Sequence, residues 1–306
     1  MRLVVITPTR NRPKEVAVLL ASLCEQTRRP DLLVVVDSSD PDLRPEVRSA
    51  VLEGWPGACY VEHWPPSAAA QRNRGLDAVV NDCDLVALID DDITLPSNTL
   101  ENACREIAES APEFIGFGFN PSDADAVRGY GRLKSSRLAR RLGLYSDRIG
   151  AVTASGWHTR LTRVAASTEV EWLLSGAVIW KAEAIRAIRF DEFFEQYSYL
   201  EDLEFSLQAR AQGRFLALSS ASFLHEPSLV GRKSRFWFGR IEIRNRLYIV
   251  RKHGLSEARF WAGAAIRAAA TFGHALLGHS REFGRLQGNC VEVLKTVVMN
   301  VSRKSQ

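Results

Sequence analysis

Short, wholly apolar runs alternate with stretches of helical periodicity over the first hundred residues. Leu3-Val4-Val5-Ile6 is apolar without alternation and closes at Thr7-Pro8-Thr9, which predicts a strand buried on both faces. Pro13 suits the first turn of a helix running to about Glu25. Leu32–Val36 predicts a second buried strand ending at Asp37, residues 44–53 a helix, and Ala58–Glu62 a short third strand. Ser67 is placed to cap a helix over 68–80, and Asp84–Ile89 is a fourth strand ending at Asp90, with a helix over Pro96–Ser110 behind it. Buried strands with helices between them predict an α/β protein: a mostly parallel, Rossmann-like sheet flanked by helices. Ligands of such sheets sit at the carboxyl ends of the strands. Here those ends carry Thr7–Arg10, Asp37–Asp40 and Asp90–Asp92.

The rhythm breaks at about 120–168, where Gly129-Tyr130-Gly131 and the cluster Arg137, Arg140, Arg141 and Arg148 replace apolar periodicity. An insertion or lid is the expectation there. Structure is expected to resume over Trp172–Trp180, a helix near 181–188 and Phe190–Tyr199, then a helix over about 201–212. Strand-like Arg214–Leu218 and Ala221–His225 follow, and the rest reads as helical and basic. The expected organisation is a main domain over 1–228 and a basic helical C-terminal extension over 229–306.

Charge sharpens that division. The net charge of the 306 residues is +4, but residues 228–306 hold 15 Lys/Arg against 4 Asp/Glu, a net of +11, and residues 1–227 are net −7. A basic tail on an acidic body points to an anionic partner or to a solvated helical face. In the tail, Phe236-Trp237-Phe238 and Leu247-Tyr248-Ile249 are interleaved with arginines, a mixture suited to a membrane interface or to a helical dimer interface. Phe260–Gly278 is interrupted by Arg267 and His274 and makes a poor membrane span. The five cysteines are scattered and never form C-x-x-C, which fits a reducing compartment and excludes a disulfide framework or a zinc knuckle. The apolar run Leu3–Ile6 is too short for a secretory signal, so a cytoplasmic setting is expected, with peripheral attachment at the inner membrane face.

Several residues carry candidate chemistry. Asp90-Asp91-Asp92 ends the strongest strand, and adjacent carboxylates at one strand end repel unless a cation is near; hard divalent ions favour such oxygens and bridge diphosphates. An exposed acidic turn is the plainer account. Arg72, in Gln71-Arg72-Asn73-Arg74-Gly75, offers a planar fork to phosphate or is solvated surface. Glu201-Asp202 opens a helix, where acids are either dipole partners or a poised base. His225, in Phe223-Leu224-His225-Glu226-Pro227, is either a structural imidazole or a ligand.

Taken in order, Ile6-Thr7-Pro8-Thr9-Arg10-Asn11-Arg12, Val35-Val36-Asp37-Ser38-Ser39, Ala70–Gly75, Leu88–Ile93, Ser175-Gly176-Ala177, Phe190–Phe194, Glu201–Phe205 and His225 resemble a family-2-type inverting glycosyltransferase with the nucleotide-sugar-binding GT-A fold. The resemblance covers roughly residues 2–228. It implies that Thr7, Thr9, Arg10 and Asp37 line a nucleoside pocket and that Arg72 contacts diphosphate or ribose. It further implies that Asp90 and Asp91 hold the nucleotide and sugar, and that Asp92 and His225 bind a divalent metal, Mn²⁺ or Mg²⁺. Asp202 would be the catalytic base and Glu201 would position acceptor or donor. The implied partners are a nucleoside-diphosphate sugar and a glycan or lipid-linked acceptor, with no nucleic acid. Ser38 stands where such enzymes often carry a second acid.

Rival classes fit less well. A sugar-phosphate nucleotidyltransferase would want a Gly-rich loop after the first strand, and Thr7–Asn11 has no glycine. No G-x-G-x-x-G follows a strand, which excludes a dinucleotide-binding dehydrogenase. A non-catalytic nucleotide-sugar-binding or membrane scaffold protein of the same fold is the alternative that remains, although binding alone needs no base.

Overall fold

The computed structural model describes residues 1–122, 137–194, 198–226, 234–277 and 282–304. Gly129-Tyr130-Gly131 of the expected lid, Arg232-Lys233 and the expected boundary at 228/229 lie outside the described residues. The chain divides into two compact units, one of Met1–Ala126 with Arg160–Val230 and one of Val127–Thr159 with Gly231–Gln306.

In the first unit the predicted alternation appears as β1 (Leu3–Thr9), α1 (Pro13–Cys24), β2 (Leu32–Asp37), α2 (Arg44–Gly54), β3 (Cys59–Glu62), α3 (Ala68–Val79) and β4 (Leu85–Ile89). These are followed by β5 (Ile93–Thr94), α4 (Thr99–Glu109), β6 (Phe114–Pro121), β7 (Thr168–Val170), β8 (Ala177–Lys181), α5 (Ala182–Ile185), α6 (Glu201–Ala209) and β9 (Arg214–His225). The strands form one mixed, mostly parallel sheet in the order β3-β2-β1-β4-β8-β6-β9-β5, with β7 on β9. β3, β2, β1 and β4 are parallel, in a register that sets Thr9 beside Asp37 and Asp37 beside Glu62. Their polar carboxyl ends are therefore level with one another. Leu3, Val5, Leu33, Val35, Leu85 and Ala87 have almost no exposure, as continuous apolar strands covered on both faces require.

Three features depart from the sequence expectation. β6 forms over a segment to which the sequence assigns no element; a Cβ at Gly116 would lie 2.5 Å from Trp180 Cζ3, so the glycine leaves the space that the indole fills. The two strand-like segments after residue 213 are one strand, β9, with a register irregularity in its pairing to β6. Ile93-Thr94 adds a two-residue strand that pairs with the end of β9, Ile93 opposite His225.

The second unit is helical, with α7 (Arg235–Lys252), α8 (Glu257–Leu276) and α9 (Glu282–Lys304). The backbones of α7 and α9 nearly touch: a Cβ at Gly239 would lie 2.1 Å from the Arg285 carbonyl oxygen, and one at Gly288 2.1 Å from that of Phe236. Ions seal the seam. Arg285 donates to both oxygens of the buried Glu242 (2.6 and 3.0 Å), Arg240 to Glu292 (3.1 Å), and Asn289 to the Gly239 carbonyl (2.7 Å). Trp157 packs with Phe260, Ile243 and Val250, and its ring lies between the guanidinium groups of Arg246 and Arg267, at 3.9 and 3.7 Å from each to the ring centroid.

Burial alone would raise the Glu242 carboxyl, but the hydrogen bonds and charge of Arg285 outweigh it and hold the group below its ordinary value. A lowered carboxylate contributes stability that is present above the unfolded value and is lost as pH falls through the folded one. Glu242→Gln is therefore expected to cost about 3 kcal/mol at neutral pH and to flatten the acid limb of unfolding, measured by circular dichroism across a urea and pH series.

Candidate active site

The carboxyl edge of the parallel strands is organised by hydrogen bonds between successive loops. β1 delivers Thr7, Thr9 and then Arg10–Arg12. Thr9 Oγ1 donates to Asp91 Oδ2 (2.7 Å), and Arg12 Nη1 reaches Asp91 Oδ1 at 2.7 Å and Asp92 Oδ2 at 3.5 Å. Arg12 stands just before Pro13, the first residue of α1, so the helix start aims its side chain at the acids. Asn11 is left-handed (φ 57°), a conformation asparagine tolerates. It exchanges side-chain and backbone hydrogen bonds with Asp40, and Arg10 pairs with Asp40 at 3.0 Å in the open. Thr7 Oγ1 is buried without a hydrogen-bond partner among the described residues.

Asp37, at the end of β2, is fully buried. Its Oδ1 accepts from Ser39 N and Oγ (2.8 and 2.5 Å), and its Oδ2 accepts from the Tyr60 hydroxyl (2.5 Å). Burial, then the Asp37 charge and hydrogen bond, hold that phenol above its ordinary value. Gln71, from α3, donates to the carbonyls of Thr9 and Val36 (2.8 and 2.7 Å) and ties two strand ends together.

The three aspartates after β4 turn in different directions, although Arg12 reaches two of them. Asp90 Oδ1 accepts from Arg72 Nη2 at 2.7 Å. The Gly176 loop lies so close that a Cβ there would stand 2.4 Å from Asp90 Oδ2. Asp91 is held by Thr9 and Arg12, and burial raises its carboxyl to about 7 even though those two donors pull it down. Asp92 Oδ1 lies 3.4 Å from His225 Nε2, because β5 pairs with β9 and Glu226 N donates to the Asp92 carbonyl.

Arg72 closes the arrangement. It is buried on α3 beneath the Phe190 ring (5.5 Å), and its Nη1 donates to Glu201 Oε1 at 2.8 Å. Burial works against the guanidinium charge, but Asp90 and Glu201 outweigh it and hold the group firmly protonated. Asn73, one residue along, donates to the Phe190 carbonyl (2.9 Å) and accepts from its N–H (2.7 Å), docking the 190–194 segment on α3. Glu201 and Asp202 enter α6 from Ser198 and Leu200, both left-handed (φ 50° and 77°), a strained entry for a leucine. Burial raises both carboxyls above the ordinary range, Asp202 adding to the effect on Glu201. Asp202 is the more accessible of the two; its Oδ1 accepts from Leu203 N.

A divalent ion would find a carboxylate and an imidazole at Asp92 and His225. Among the described residues no group of three or more His, Cys, Asp and Glu side chains gathers as a protein cage. Such a two-ligand set fits an ion that shares its shell with diphosphate oxygens and water. The sheet thus brings Thr9, Arg72, Asp90, Asp91, Asp92, Glu201, Asp202 and His225 to one edge, while Arg10 stays exposed and Asp37 sits beneath. Sequence reasoning gave no role to Arg12 or Tyr60. The signal for Arg12 was its place at the entry to α1; Tyr60 carries none, since its bond depends on the β2–β3 register.

A GT-A-like fold is the class that this sheet defines. The family model for Glycosyl transferase family 2 matches residues 4–164. The chain belongs to that family. No curated protein matches by sequence. Among solved structures, TarS 1–349 of S. aureus superposes with a TM-score of 0.52 at 18% identity, covering 86% of this chain and 71% of that one. The mannosyltransferase PcManGT of Pyrobaculum calidifontis, solved with GDP-Man and Mn²⁺, gives 0.55 at 18% identity over 95% and 87%. GalNAc-T7 with UDP, GalNAc and Mn²⁺ gives 0.61 at 13% identity over 81% and 47%. Against a longer TarS chain the match spans 44% of that protein. At these identities the likeness is one of fold.

Arg72→Met leaves Asp90 and Glu201 facing each other without their cation and is expected to lower stability by about 3–5 kcal/mol. Arg72→Lys should recover less than half of it, because an ammonium lacks the fork that spans two carboxylates. Urea unfolding measures both, and a lysine variant as stable as the parent would show that the fork is not needed.

Proposed function

We propose that the protein is a metal-dependent, inverting hexosyltransferase that moves a sugar from a nucleoside-diphosphate sugar to a hydroxyl of a glycan or lipid-linked acceptor, in the synthesis of a cell-surface polysaccharide or glycolipid. One observation carries this reading. Arg72 bonds Asp90 with one Nη atom and Glu201 with the other, so the acid motif that would face the donor and the acid pair that would face the acceptor share one buried cation. That solved relatives of the fold hold UDP-GlcNAc or GDP-Man adds support for a nucleotide-sugar donor.

In this mechanism Arg10 borders the nucleoside side, while Thr7, Thr9 and Asp37 are buried behind it and, with the Asp91–Arg12–Thr9 contacts, fix the shape of that wall. Asp90 and Arg72 border the ribose and diphosphate. Asp92 and His225 would hold the Mn²⁺ or Mg²⁺, whose charge stabilises the departing nucleoside diphosphate. Glu201, neutralised by Arg72, positions the acceptor. Asp202, raised by burial yet accessible, takes the proton of the acceptor hydroxyl as its oxygen bonds the anomeric carbon and the bond to the diphosphate breaks. One displacement inverts the anomeric centre, with no covalent sugar–enzyme intermediate. A lipid-linked acceptor would be met at a membrane surface, with the basic C-terminal segment facing it.

The test is release of nucleoside diphosphate from UDP-, GDP- and dTDP-sugars with Mn²⁺, Mg²⁺ or EDTA and a membrane lipid extract as acceptor. Asp202→Asn is expected to lower turnover by about 10²–10⁴-fold with donor binding retained, and Asp92→Asn to weaken Mn²⁺ binding measured by calorimetry. Absence of donor binding by the folded, metal-loaded protein would instead favour a scaffold.

A further inference from the structure

Where α7 meets α9, the second unit buries polar groups and turns apolar ones outward. The seam between α7 and α9 is ionic and polar, with Glu242, Glu292 and Asn289 buried in it. The outward face of α9 is mostly apolar, with Gln287 its polar exception. At about 100° per residue, Phe283, Val291, Leu294 and Val298 fall within one third of the helix circumference, with Leu294 65% and Val298 64% exposed. The patch continues onto α8: the Phe283 ring meets that of Phe272 edge-on, centroids 6.4 Å apart, and α8 ends in exposed Leu276 and Leu277. Contiguous apolar surface of this kind marks a contact with another phase or another protein.

Charge selects the partner. Each of the four acids in residues 228–306 faces an arginine of the same unit: Glu242 and Glu282 meet Arg285, Glu292 meets Arg240, and Glu257 meets Arg251. The segment still carries a net +11. A second copy would bring like charge against like charge. An anionic bilayer offers an apolar layer for the leucines and negative headgroups for the surplus cations. No helix among the described residues is long and apolar enough to cross a membrane, so the geometry is one of lying in the interface.

We propose that the apolar face shared by the end of α8 and the outer side of α9 docks the protein on an anionic lipid surface. The face belongs to the second unit and needs no part of the catalytic assignment. The experiment is sedimentation of the full chain with phosphatidylcholine vesicles, with and without phosphatidylglycerol, at low and high salt and without sugar nucleotide. Binding to the phosphatidylglycerol vesicles that weakens with salt is expected. Leu276→Gln/Leu277→Gln and Leu294→Gln/Val298→Gln should each lower partitioning at least about tenfold without changing the melting temperature or donor turnover in solution. Variants that bind like the parent, or equal binding to neutral vesicles, would overturn the proposal. So would a dimer, seen by light scattering, that the variants dissociate while no vesicles are bound.

Discussion

A buried guanidinium must be matched by negative charge, and much of the candidate site follows from how Arg72 is matched. It lies on α3 with 3% exposure, fixed by Asp90 on one side and Glu201 on the other. Those residues are far apart in the chain, and each would be costly to bury alone. Together they form a network that holds the end of β4 against the start of α6. Phe190 covers the cation, and Asn73 pins the Phe190 backbone to the same helix. Removing one of the three charged members leaves its partner in the low-dielectric edge less well matched, so the ion pairs fix these side chains relative to one another.

The same reasoning explains how three consecutive aspartates are tolerated. Their repulsion is relieved by dispersal: Asp90 turns to Arg72, Asp91 to Thr9 and Arg12, and Asp92 toward His225. Asp91 is the most buried of the three, and burial raises its carboxyl to about 7. Its contacts belong to the scaffold that aims the other two. Asp92 sets one carboxylate oxygen 3.4 Å from the His225 imidazole, where β5 pairs with the end of β9.

In the second unit arginines serve as packing material as well as charge. Arg246 and Arg267 cover the two sides of Trp157, and Arg285 and Arg240 satisfy the acids of a seam so close that Gly239 and Gly288 cannot be replaced by larger residues without moving a helix. Basic residues that read along the chain as an amphipathic tail are thus partly internal, while valines and leucines of α9 point outward.

The alternation of apolar strands and helices, the polar strand ends and the asymmetry of charge were legible in the sequence, because burial on both faces of a sheet leaves no polar position to disguise. The ordered motifs likewise led to the family. β6 was not legible, since its glycines at 116 and 118 find their reason only in the space that Trp180 and Leu173 take up. Arg12 and Tyr60 were hidden because a side chain's partner depends on which loops the register brings level. By itself the sequence determined the fold class and offered candidate polar residues at the strand ends, since these depend on local pattern and residue type. Only the tertiary structure decided which acid pairs with which base, that Asp37 is sealed beneath Tyr60 and Ser39, and that His225 meets Asp92. Those pairings join residues distant in the chain, and the sheet order and helix packing that unite them are properties of the whole folded unit.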